Sequence, residues 1–161
     1  MDTTAIFNLQ SALSLLLFGI IAKWYVWPRL IQMDYKEALI PLLLYSAFRY
    51  MGTFFMVPSM TNGLDPAWSG PAAYLDLGSV AIALVAAFLL RYRIGFGVPV
   101  AWLYGTFGAF AFVHGATQLD AMQVATHIGP AMPVMTILGS SWMVTIVVLF
   151  FVLVKHPRKS V

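Results

Sequence analysis

The chain has 161 residues, 61% hydrophobic and 9% charged, where a soluble domain carries roughly 25% charged residues. With a mean hydropathy of +0.85, a fold of this length in water has no way to hide its apolar surface, so lipid is its expected solvent and disorder and nucleic-acid binding are excluded. There is no cysteine, which removes disulfide, iron–sulfur and thiolate chemistry, and the net charge of +3 resides in residues flanking the apolar runs.

In chain order, apolar runs with at most one charged residue each predict five membrane-spanning helices. The first covers about 5–27 and stops at Pro28-Arg29. It opens within "MDTTAIF", which holds an acid and no base, so it reads as a retained helix rather than a basic-headed signal peptide. The second covers about 38–57 and ends at Pro58. Turn pairs Asn62-Gly63, Asp65-Pro66 and Gly70-Pro71 then separate it from the third, about 72–90. The fourth, about 95–118, and the fifth, about 133–154, complete an all-α integral membrane bundle without internal repeats, read as one domain over 1–161.

Lysine and arginine orient the bundle. Lys23, Arg29 and Lys36 flank the first connection, Arg91 and Arg93 lie in the third, and Lys155, Arg158 and Lys159 in the tail. The N-terminus and the second and fourth connections hold none. The positive-inside rule therefore predicts the N-terminus outside and the C-terminus and basic loops in the cytoplasm, in a plasma (inner) membrane. Trp24, Tyr25 and Trp27 form an inner aromatic belt in this reading, with Trp68 and Tyr74 as outer counterparts.

The ninth base, Arg49, sits inside the second span, where an arginine at mid-depth costs at least ~2.5–3.5 kcal/mol. Nine residues before Pro58, it lies about 13 Å below the outer end at 1.5 Å per residue. Asp76, five residues past Pro71, lies about 8 Å deep and is its expected counter-charge. Helical spacing puts Tyr45, Ser46, Arg49, Gly52, Thr53 and Met56 on one stripe, with Tyr50 beside Arg49, and Asp76 and Ser79 with alanines on another. His114 and Gln118 share a side of the fourth span with Phe107 and Phe110; Ala101, Gly105, Gly108 and Gly115 form a close-packing seam. Asn8, Ser11, Ser14, Thr136 and Ser140 occupy the outer halves of spans one and five, while the inner halves are nearly all hydrocarbon. These residues describe a chamber that is polar toward the outside and plugged toward the cytoplasm.

In the fourth connection, Asp120 is placed to N-cap a short helix that Gly129-Pro130 ends. His114 and His127 are the candidate metal ligands by residue type, but their spacing matches no compact motif, and no metal site is expected. No nucleophile elbow, phosphate loop or paired-glutamate site is present, and no motif names a cofactor. The reading is a five-helix protein whose outward pocket (Arg49, Asp76, Tyr45, Ser46, Tyr50, Thr53, Ser79, His114, Gln118 and Ser140) binds a small amphiphile such as a lipid or quinone. It would act alone, as a homo-oligomer or within a larger membrane complex. The alternative is a purely structural subunit; a small transporter or a membrane-embedded isomerase or oxidoreductase comes after that.

Overall fold

The computed structural model describes residues 2–120 and 122–156, so Arg158 and Lys159 of the basic tail lie outside the described residues. Every regular element among the described residues is helical. We label the long helices α1 (Thr3–Leu30), α2 (Tyr35–Met56), α3 (Pro66–Arg91), α4 (Gly97–Thr117) and α5 (Gly129–Lys155). All but α4 are long and apolar enough to cross a membrane. With 21 residues, α4 is about 32 Å long, which suffices for a bilayer core. Its glycines, Trp102, Tyr104 and His114 dilute its hydropathy, so this expected span matches in length and not in composition.

Two of the long helices, α1 and α3, begin at capping acids. The Asp2 carboxylate accepts from the Ala5 amide at 2.6 Å and starts α1. The Asp65 carboxylate accepts from the Ala67 amide at 2.8 Å, with Pro66 at the first helical position, so α3 starts several residues before the expected 72. Asp65-Pro66 is a helix start rather than a turn, and Gly70-Pro71 lies inside the helix. Trp68 is consequently buried at 3% exposure and is no interfacial belt residue, whereas Tyr74 is 65% exposed.

Helix α2 changes geometry midway. Tyr35–Ser46 is α-helical, and Ala47–Met56 is a ten-residue 3₁₀ helix. A 3₁₀ helix has three residues per turn, so positions three apart eclipse. Ser46, Arg49, Gly52 and Phe55 are therefore the buried row, while Met56 turns outward and Thr53 is half-buried. The stripe predicted at α spacing is correct at 46, 49 and 52 and shifts from 56 to 55. Depth changes as well. At about 2.0 Å per residue, Arg49 is about 14 Å from Met56. Asp76 is about 15 Å from Pro66 at 1.5 Å per residue. The two charges are level, and the offset expected from sequence disappears.

Two apolar clusters bracket that level. Toward the basic end, Leu39, Leu43, Ala83, Leu149 and Val152 centre a closely packed core. At the opposite end, Phe55, Leu64, Trp68, Val124, Ile128 and Ala131 form a cap beneath the two connecting segments, which are stitched by the Asn62 amide donating to the His127 carbonyl at 2.7 Å. The Asp120-capped helix does not form. Gln123, with φ 47°, precedes a single turn at Val124–His127, while Leu119 and Met122 pack against the cap. Outward faces are apolar throughout, with Leu16, Leu17, Val85, Phe88, Phe110 and Val113 all more than half exposed. At the basic end, buried His156 lies with Nε2 3.0 Å from the Leu30 carbonyl and its ring 5.8 Å from Tyr35, tying α5 to α1 and α2.

Candidate functional site

Arg49 and Asp76 meet at the centre of the bundle. Arg49 Nε and Nη2 both donate to Asp76 Oδ1, at 2.9 and 2.6 Å, with the side chains 4% and 11% exposed. Nη1 donates to the Gly108 carbonyl of α4 at 3.4 Å. Two glycines make this approach feasible. A Cβ on Gly52 would collide with Asp76 Oδ2 and lie 3.0 Å from its Cγ, so only a bare backbone lets the carboxylate seat against α2. A Cβ on Gly108 would lie 3.4 Å from Arg49 Nη1 and 3.6 Å from Tyr104 Cζ. The close-packing seam of α4 thus serves the ion pair as well as α5. Gly105 meets Phe150 and Leu149, whereas a Cβ on Gly115 would meet nothing.

A cavity of about 320 Å³ opens between this pair and the cap, lined from all five long helices. That volume falls in the range of small-molecule sites, roughly 300–1,000 Å³. Of the residues singled out from sequence, Arg49, Asp76, His114, Gln118 and Ser140 line it, as do Asn8 and Ser11. The others do not. Ser46 and Ser79 are buried and bond back to the carbonyls of Leu42 and Leu75. Tyr50 is 52% exposed on the outer face, and Thr53 is half-buried beside the eclipsed row. Tyr45 donates to Ser141 Oγ at 2.7 Å and borders a second cavity, of about 310 Å³, between α1, α2 and α5.

Sequence reasoning missed the cavity walls. Phe7, Phe54, Phe55, Trp68, Phe112 and Trp142 give it an aromatic lining. Trp68 and Trp142 each bury an indole N–H without a hydrogen-bond partner, and the Tyr104 hydroxyl behind Arg49 is likewise buried and unpartnered. Trp68 was read as a belt residue in the turn-rich connection, and the other aromatics lie in runs too uniformly apolar for periodicity to mark one face, which is why only the polar members were visible. The α1–α5 seam is polar: Thr136 Oγ1 and Ser140 Oγ, which bond back to the Met132 and Thr136 carbonyls at 3.0 and 2.6 Å, also lie 3.2 Å from Gln10 Oε1 and 3.3 Å from the Ser11 carbonyl. Past Pro133, α5 widens to π geometry over Val134–Gly139 along the cavity wall.

The histidines stay local. His114 stacks on Phe110 at 5.8 Å and lies 3.4 Å from Gln118 Nε2, at the exposed rim. His127 Nδ1 sits 3.0 Å from the Gln123 carbonyl. Among the described residues no group of three or more His, Cys, Asp or Glu converges as a metal site.

Fold and site together define an all-helical bundle with helices of membrane-crossing length and a buried ion pair beside a cavity. The family described as Domain of unknown function (DUF8737) matches residues 6–154, and the chain belongs to it. No curated protein and no solved structure matches the chain.

Proposed function

We propose that the protein is a single-domain, five-span integral membrane protein, N-terminus outside and C-terminus in the cytoplasm, whose outward-facing cavity binds a small amphiphile. One observation carries this reading: a cavity of about 320 Å³ with mostly apolar walls, six Phe and Trp side chains among them, touches a buried Arg49–Asp76 pair. Intramembrane charge is by default functional, and a helix lock needs no cavity beside it. The four apolar helices and the basic residues gathered at one end support the membrane placement. The bound molecule would present polar atoms to Arg49, Asn8 and Ser11 and its apolar part to the aromatics.

Extraction of gently purified protein followed by mass spectrometry tests the reading. A discrete amphiphile should accompany the parent protein near equimolar ratio and be depleted from the Arg49→Leu/Asp76→Leu double variant. An identical, non-stoichiometric lipid profile in both would leave the pair a structural lock, the role expected of a purely structural subunit.

A further inference from the structure

The two cavities are neighbours along one seam. On α1, Leu15 lines the first and Phe18 the second, about 4.5 Å apart along the axis at 1.5 Å per residue. On α5, Ser140 belongs to the first and the adjacent Ser141 to the second; on α2, Arg49 and Tyr45 divide in the same way. The Tyr45–Ser141 bond lies on the side of the second cavity that adjoins Arg49 and Ser140 in sequence. The first cavity holds the charged pair and the aromatics; the second is walled by Phe18, Ile21, Val26, Leu42, Val144 and Val148. Neither is enclosed, and both border α1, the least buried of the four apolar helices.

The polar end of the site also restricts the headgroup. Asp76 neutralises Arg49, so the site offers no net positive charge, and Oδ2 would repel an added anion. The bonds to Asp76 and Gly108 use three N–H groups, and of the guanidinium's five this leaves about two for an uncharged acceptor. The six Phe and Trp side chains among the lining residues favour a flat ring. Resting on the binding role proposed above, we infer that the ligand is an uncharged lipid of the quinone class. Its carbonyl-bearing ring lies in the first cavity against Arg49, and its long apolar chain follows α1 into the second.

The test uses tryptophan quenching in the purified protein, since Trp68 and Trp142 line the ring site. The probes are a methoxy-substituted benzoquinone without a tail, the same ring with a decyl tail and with a long isoprenoid tail, and palmitate as anionic competitor. Affinity should rise at least about tenfold from no tail to decyl, because burying two methylenes is worth that much. Val144→Phe and Ala22→Leu, two independent fillings of the second cavity, should abolish the gain while leaving the tailless ring within about twofold. Melting curves establish that each variant is folded. If the tail gain survives in every folded variant, or palmitate displaces the decyl quinone at equal concentration, this assignment is wrong while the binding role stands. If no probe quenches and purified protein carries no amphiphile, the binding role fails with it.

Discussion

Arg49 and Asp76 are each tolerable because of the other, and the same contact decides what their removal does. Taking away one member leaves a buried charge with its desolvation cost and no compensation. Arg49→Leu and Asp76→Leu should therefore each destabilise the detergent-solubilised protein by about 3 kcal/mol, and the double variant should recover much of that loss. Thermal or denaturant melting of the full cycle checks this, and strictly additive losses would mean that the residues do not interact. Gly52 extends the argument. In an open helix Gly→Ala gains about 0.5–1 kcal/mol. Here the new methyl strikes the Asp76 carboxylate, so Gly52→Ala should instead cost at least about 1 kcal/mol, as overpacking does. The pairing of Arg49 with Asp76 was legible from sequence, since, apart from Lys23 near the basic end of the first run, they are the charges inside the apolar runs. Gly52 was visible as a stripe member but not as the carboxylate's seat, which depends on how closely α2 and α3 approach.

At the scale of elements, the sequence located each long helix but not its internal geometry. Apolar runs mark where a helix lies, yet a run without polar contrast cannot distinguish 3.0 from 3.6 residues per turn. Ser46, Arg49 and Gly52 fit both periods; only the choice between Phe55 and Met56 separates them. The Asp65-Pro66 start was misread because Asp-Pro is common both in turns and at helix N-termini, and the outcome was set by Trp68 finding a place under the cap. Long 3₁₀ runs have poorer hydrogen-bond geometry. In hydrogen exchange, amides of 47–56 should thus exchange at least about tenfold faster than those of 39–46, reflecting lower local opening free energy. Equal protection over both halves would show that α2 is uniformly α-helical in the purified protein.

For the whole molecule, the proposed orientation places the cap outside and the Tyr35–His156 end in the cytoplasm. The parent chain has no cysteine, so single cysteines report without background. Ser59→Cys, at an exposed position beside the cap, should react with an impermeant thiol reagent on intact cells, and Tyr92→Cys, exposed at the basic end, should not. Labelling of position 92 from outside would invert the bundle. The central claim is that the cavity above Arg49–Asp76 is occupied by an amphiphile, and its most direct test is to fill the cavity without disturbing the pair. Gly115 and Gly139 line it, and a Cβ on either would meet no other atom. Native mass spectrometry should therefore show a discrete adduct on the parent protein. Gly115→Leu/Gly139→Leu should lose that adduct while still melting as a folded protein, since neither Cβ meets another atom within 4 Å. The same adduct retained on the filled variant, or a parent protein that carries none, would contradict the account.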